Sequence, residues 1–164
     1  MKRRTFLQTS GIISSATILS NPSLGQKKIA NEPIIIATWK NEKGTKSGWD
    51  KMMQTGRALD GVEAGAWIPE ADPNETSVGY GGLPDRDGHV TLDACIMDHL
   101  GNAGSVTFLE GIMHPISVAR AVMEKTPHVM LSGEGALQFA LSQGFKKENL
   151  IDQILTNRNI KYGK

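Results

Sequence analysis

Apolar positions along the chain fall into two periods, and the switch from one to the other marks the elements. Residues 33–39 (Pro-Ile-Ile-Ile-Ala-Thr-Trp) are β-branched and almost wholly apolar, which predicts a strand buried on both faces. Residues 40–48 are polar and punctuated by glycine, which predicts a loop. Trp49, Met52, Met53, Ala58, Leu59, Val62 and Ala66 then recur at helical spacing with a break at Thr55-Gly56. That predicts two short helices with a turn between them, the Trp and Met stripe serving as core. Residues 69–76 read as a turn-rich connection. Ser77 to Gly82 begins as a strand, Pro84 to Gly88 makes a tight polar turn, and from His89 to Met97 the residues Val90, Leu92, Ala94 and Ile96 face one way, together a hairpin. Gly104 to Leu109 supplies a further strand. His114-Pro115 opens a helix with Ile116, Ala119, Val122 and Met123 on one face, and Thr126-Pro127 stops it. Residues 128–131 form a short buried strand, and Gly133-Glu134-Gly135 leads into a last helix ended by Gly144. The order is one strand, two helices, a meander of about three strands, helix, strand, helix. It predicts an α+β chain in which helices back a sheet.

Composition narrows the class of function. The length of 164 residues suits one domain, and 18 basic against 17 acidic side chains leave a net charge of +1. A near-neutral chain lacks the clustered basic surface that nucleic acid requires, so no nucleic-acid partner is expected. Cys95 is the only cysteine, which rules out an intrachain disulfide; set in an apolar run, it is expected to pack as a small buried hydrophobe. The first residues carry Lys2-Arg3-Arg4, then Phe6-Leu7, then the short apolar stretch Gly11 to Leu19. That stretch is too short to span a bilayer and reads as a signal-peptide core, with Ser23-Leu24-Gly25 offering small residues before a cut. Residues 1–25 are therefore predicted to be a signal of the twin-arginine type and 26–164 the mature domain. The product is expected in the periplasm or secreted, with no membrane contact once the signal is removed.

Spacing alone yields no catalytic set. His89, His99, His114 and His128 are scattered without metal-ligand spacing, so they are expected in structural or surface roles. Asp85, Asp87, Asp93 and Asp98 could form acid–base pairs or a calcium loop. However, Asp85-Arg86-Asp87-Gly88 lacks the ligand run of an EF-hand and suits a turn. Gly79-Tyr80-Gly81-Gly82 fits no phosphate-binding pattern and predicts instead a close approach of backbones. No serine sits in a nucleophile elbow, and no metal or cofactor is implied.

Several ordered blocks nevertheless resemble the glycosylasparaginase (aspartylglucosaminidase) family. They are Ala37-Thr38-Trp39, the stretch Gly56 to Glu63, Ser77 to Gly82, Pro84 to Gly88, Val90 to Asp98, Pro115 to Met130, Gly133 to Ala136 and Phe139 to Phe145. The resemblance runs from about residue 33 to about residue 150 and is nearest to the bacterial periplasmic members. It implies a four-layer αββα fold and an N-terminal-nucleophile mechanism. In such enzymes a precursor cuts itself, commonly at an Asp-Thr bond, into α and β chains. The freed threonine, its hydroxyl activated by its own α-amine, attacks the side-chain amide of asparagine linked to N-acetylglucosamine. The resemblance covers the α half only. It implies that Trp39 lines the substrate site as a substrate-binding residue, with an apolar ring face and one N–H donor.

Two departures and one absence qualify that expectation. Trp39 is followed by Lys40-Asn41 where the family carries Asn and then an aromatic, and Asp98 is followed by His99-Leu100. No Asp in the sequence precedes a Thr; Thr156, in the divergent stretch 151–164, follows Leu155. The chain is thus expected to contain no catalytic residue of its own, to have lost autoproteolysis and to be inactive alone. The expected partners are a β half of the same enzyme and a small glycosyl-asparagine substrate. Two rival readings are a half-enzyme complemented by a separately encoded β chain and a non-catalytic exported glycan-binding protein.

Overall fold

The computed structural model describes residues 32–150, and those from Ile35 onward form one unit. The predicted signal 1–25, the start of the mature chain and the stretch 151–164 lie outside the described residues. Helices α1 (Glu42–Thr55) and α2 (Ala58–Ala71) come first, followed by a 3-10 turn at Gly79–Gly81. Strands β1 (Thr91–Met97) and β2 (Ala103–Glu110), helix α3 (Pro115–Lys125), strand β3 (Met130–Ser132) and helix α4 (Gly133–Ser142) complete the order. The sheet runs β1-β2-β3, with β1 antiparallel and β3 parallel to β2.

One sheet face carries the core. Ile96 of β1 and Val106 and Leu109 of β2 meet Ile116, Val118, Ala119 and Val122 of α3 and Ala136, Leu137 and Ala140 of α4. Val106 and Leu109 are three residues apart, so in a regular strand they would point to opposite faces. A bulge restores their parity: Leu92 pairs with Leu109 and Ala94 with Val106, leaving Asp93 opposite both Thr107 and Phe108. The extra residue brings Phe108 to φ 52°, a left-handed conformation disfavoured for a bulky side chain. Asp93 Oδ1 holds the bulge by accepting from the Phe108 N–H at 2.8 Å and the Thr107 hydroxyl at 2.7 Å. On the other face Asp93, Cys95 and Met97 of β1, Phe108 of β2 and Met130 of β3 are exposed.

Several sequence expectations need correction. Residues 33–39 form no strand; Ile34 and Ile36 are 76% and 79% exposed, and no described strand pairs with them. A run of β-branched residues specifies a strand only when a neighbour supplies the ladder. The predicted loop 40–48 is mostly helix α1, started by Asn41, whose side-chain oxygen accepts from the Gly44 N–H at 3.0 Å. Ser77 to Gly82 is turn and 3-10 helix, so the hairpin is β1–β2, closed by Asp98 to Asn102. Cys95 is exposed, because it alternates with the inward-facing Ala94 and Ile96. The strand near 128–131 is β3, and Val129 and Met130 are exposed.

The predicted Trp and Met stripe of α1 is also largely outside, with Trp49 and Met53 exposed. The seam between α1 and α2 is built from glycine instead. A Cβ on Gly48 would lie 2.6 Å from the Gly61 carbonyl oxygen, and one on Gly61 would lie 2.7 Å from that of Gly48. The helices therefore touch backbone to backbone, and their larger side chains turn outward. The expectation of close backbone approach at 79–82 is met in the same way: Cβ atoms on Gly79 and Gly81 would fall on the backbones of Glu70 and Glu75.

Ala is favoured over Gly within a helix by about 1 kcal/mol, so a Gly→Ala change at an uncrowded helical site stabilises. At Gly48 and Gly61 the clash with rigid backbone reverses the sign, and overpacking of this kind costs about 1–3 kcal/mol. Urea unfolding of Gly48→Ala and Gly61→Ala is therefore expected to show lower midpoints. Gly135→Ala, in α4 with open space around it, is expected to be neutral or stabilising.

Candidate functional site

Trp39 is 62% exposed and lies two residues before the α1 cap, on backbone that is neither helix nor strand. The helix start explains the Lys40-Asn41 departure locally. Asn41 is the cap: its backbone oxygen accepts from the Thr45 N–H at 2.8 Å and the Thr45 hydroxyl at 3.0 Å. The indole thus stands at the rim of a capped helix, able to offer a ring face and an N–H to a small polar molecule.

The other residues singled out by sequence are not brought together into a site. Asp85 accepts from the Asp87 and His89 N–H groups, and the His89 backbone bond leads in holding its carboxyl below the ordinary range. Asp98 accepts from the Leu100 and Asn102 N–H groups and the Asn102 side-chain amide; the last is the main cause of its lowered pKa. These aspartates shape turns and remain ionised, which removes them as general acids. His89 lies 3.4 Å from Glu110, and His99 and His128 are exposed. Among the described residues no three His, Cys, Asp or Glu side chains converge as a metal ion would require.

A polar seam between α2 and α3 escaped sequence reading. Arg120 lies 2.7 Å from Asp60, 2.7 Å from Glu63 and 3.0 Å from Glu124. Ser117 donates to Glu63 at 2.7 Å and accepts from the Trp67 indole N–H at 2.7 Å. Trp67 in turn packs on the His114 ring at 5.5 Å. The seam ends at Glu70, the one charged side chain among the buried residues described. Glu70 accepts from the Ile116 N–H at 3.0 Å and lies 3.0 Å from His114 Nδ1. His114 is the α3 N-cap but its side chain caps nothing, so Glu70 satisfies the helix start from across the interface. Helical spacing alone could place these residues on facing sides, but pairs 44 to 57 positions apart carry no local signal.

Two open clefts lie elsewhere, near the end of β2. One of about 470 Å³ is lined by Val90, Gly111, Asn149 and Leu150 among others, and one of about 190 Å³ by Phe108, Gly133 and Leu137; they share Glu110 and Lys147. Tyr80 donates to Glu148 on the wall of the larger, a bond that raises the phenol to about 12. Trp39 lines neither cleft.

Burial pushes the Glu70 carboxyl up, and the hydrogen bonds from His114 and Ile116 only partly offset it. A raised folded-state pKa means its contribution is complete below the unfolded value of about 4.3 and is lost as pH rises through the folded value. The stability of Glu70→Gln relative to the parent chain is therefore expected to grow as pH rises above the ordinary carboxylate range, then level off. Thermal melts between acid and neutral pH check this. Glu70→Ala leaves the Ile116 N–H orphaned and is expected to cost about 1–3 kcal/mol in acid, a cost that shrinks as pH rises through the folded value.

Comparison with known proteins assigns the chain. The asparaginase family model matches residues 22–162. The N(4)-(beta-N-acetylglucosaminyl)-L-asparaginase of Elizabethkingia miricola is 55% identical over 157 residues, 91% of this chain and 46% of that protein. The enzyme of the same name from Mus musculus is 41% identical over 119 residues, 72% of this chain and 34% of that protein. An isoaspartyl peptidase/L-asparaginase of Rattus norvegicus is 36% identical over 144 residues, 87% of this chain and 40% of that protein. The chain spans less than half the length of these curated relatives. With one family model covering most of its residues, the chain belongs to the glycosylasparaginase family of asparaginases.

Proposed function

We propose that this chain is the α half of an amide hydrolase that cleaves the bond between asparagine and N-acetylglucosamine. Its sheet would form one layer of a four-layer αββα sandwich completed by a β half. The supporting observation is 55% identity to the Elizabethkingia enzyme over 91% of this chain, joined to a sheet with one bare face. A sheet face carrying Met97, Phe108 and Met130 in water is a surface suited to a second layer. The 164 residues contain no Asp-Thr pair at which a nucleophile could be freed. On this reading the attacking threonine comes from the β half, its hydroxyl losing a proton to its own α-amine, with a pKa of roughly 8. Donors of the β half stabilise the oxyanion. Trp39 supplies the α-half wall, its ring packing on the substrate and its N–H orienting it.

Assays with aspartyl-glucosamine test the division of labour. The 164-residue chain alone is expected to release no aspartate, and adding a β half that begins with threonine is expected to restore turnover. Saturable hydrolysis by the chain alone would refute the reading. Calorimetric heat without product would favour a glycan-binding protein. In the restored enzyme, Trp39→Ala is expected to lower kcat/KM about tenfold, equivalent to roughly 1.4 kcal/mol, with Trp39→Phe in between.

Export by the twin-arginine route to the periplasm or beyond belongs to the same proposal and rests on Arg3-Arg4 ahead of a short apolar stretch. The mature protein is expected to begin at Gln26, read by N-terminal sequencing of the periplasmic fraction. Replacing Arg3 and Arg4 by Lys is expected to hold the uncut chain in the cytoplasm. Unchanged export of that variant contradicts the route.

A further inference from the structure

The sequence holds two Asp-Gly bonds, Asp60-Gly61 and Asp87-Gly88. Among aspartyl bonds Asp-Gly is the most prone to rearrangement, because glycine offers no side chain to hinder attack by its backbone nitrogen on the aspartyl carboxyl carbon. Ring closure also needs local backbone freedom and an uncharged carboxyl group, since a carboxylate would have to expel oxide whereas the protonated acid can lose water. The fold treats the two bonds in opposite ways.

Asp60-Gly61 is locked. Both residues lie inside α2, and the Gly61 N–H donates to the Arg57 carbonyl at 3.4 Å. Gly61 is pressed against the Gly48 backbone, so that bond has no room to swing. The Asp60 carboxyl is pulled away by Arg120 at 2.7 Å; burial opposes ionisation, yet the bonds from Arg120 and Thr55 hold it below the ordinary range.

Asp87-Gly88 is open. It sits in the turn leading into β1, both Asp87 and its neighbours Asp85 and Arg86 are exposed, and nothing lies within 4 Å of the position of a Gly88 Cβ. Gly88 holds a φ of 89°. Its N–H donates weakly to the Asp85 carbonyl, at 3.2 Å, and leans on the exposed Asp85 carboxylate, a solvent-facing hold unlike the helical one at Gly61. The Asp87 carboxylate is gripped only by its exposed neighbour Arg86, at 3.1 and 3.2 Å. Such a surface pair contributes little and breaks readily.

We propose that Asp87-Gly88 is a site of spontaneous isoaspartate formation in the folded protein and that Asp60-Gly61 is protected. In the first step the Gly88 nitrogen bonds to the Asp87 Cγ, the nitrogen gives up its proton and one water leaves, giving a succinimide. Water then adds to either ring carbonyl: one opening restores aspartate, the other leaves the main chain running through the side-chain carboxyl. No oxidant, enzyme or further reagent enters the balance. The second product carries an extra methylene in the main chain and moves the residue that feeds Asp85, which holds the Asp87 and His89 N–H groups at 2.9 and 2.8 Å. The modification therefore loosens the turn from which β1 departs.

The folded full chain is aged at 37 °C in neutral buffer, labelled with protein-isoaspartate methyltransferase and mapped by peptide mass spectrometry. The label is expected in the peptide containing Asp87-Gly88, preceded by a species lighter by one water, and the Asp60-Gly61 peptide is expected to stay unlabelled. Ageing in denaturant is expected to label both at comparable rates. Asp87→Glu, which would need a larger ring, is expected to abolish the label, and Arg86→Gln to hasten it by freeing the carboxyl. The proposal is overturned by equal labelling of the two peptides in the folded chain, or by no label at Asp87-Gly88 while the denatured chain is labelled there. If a variant fails to fold, the comparison of the two bonds in the unmodified chain decides alone.

Discussion

The inner face of β2 is the constraint on which the unit depends. It must turn both Val106 and Leu109, 1% and 0% exposed, toward the same helices, although three residues separate them. Straight pleating forbids this, since period two sends odd separations to opposite faces. The bulge at Thr107-Phe108 supplies the missing half-step, and the Asp93 carboxylate steadies it with two hydrogen bonds against the strain of a left-handed phenylalanine. With parity restored, Leu109 meets Ile112, Val118 and Val122 in one cluster, and α3 and α4 have a continuous surface to lie on. Without it one of the two side chains would face water, forfeiting about 2 kcal/mol of burial and leaving a hole beneath the helices.

What the sequence disclosed follows from how local each signal is. The alternation of Val90, Leu92 and Ile96 and the helical spacing of Ile116, Ala119 and Val122 are written within single elements, and all six are buried. Pro115 at the first turn and Thr126-Pro127 at the end mark α3 without reference to anything else. Helix α1 was hidden because Gly44 and Gly48 read as breakers in isolation, whereas Gly44 makes room for the Asn41 cap and Gly48 for the partner helix. A Cβ on Gly48 is excluded by Gly61, seated in a different element. The bulge was hidden for a similar reason: nothing near Phe108 announces it, and its stabilising carboxylate lies fifteen positions away. The seam around Arg120 and Glu70 is longer-range still. Trp39, proposed as a substrate contact, is singled out only through resemblance, since an exposed indole beside a helix cap carries no chemical signature of its own.

The helical side of the molecule is self-sufficient in a way the sheet is not. Between α2 and α3 every charge has an answer: Arg120 is shared among three carboxylates, and Glu70 substitutes for a helix cap. Satisfied networks of this kind fix the relative position of two helices more sharply than apolar contact would, because a shift leaves buried groups unpaired. The outer sheet face has no equivalent. Its residues are a mixture of Asp93, Cys95, Met97, Thr107 and Met130, too apolar for a purely solvated surface and too thinly covered for a core. Covering even ~400 Å² of apolar area there would be worth on the order of 10 kcal/mol, comparable with the stability of a small domain.

That asymmetry is what the proposed division of labour requires. A hydrolase assembled from two layers must keep its pocket geometry after the layers meet, so at least one must be rigid beforehand. The seam and the glycine contact make the helical layer rigid, whereas the bare sheet face can accept a second layer without first shedding contacts of its own. Trp39 precedes the Asn41 cap of α1 by two residues, and its side chain is exposed. An indole placed in this way adds surface and a donor to a site without supplying the reacting group, and on the proposed reading the nucleophile enters from the other half.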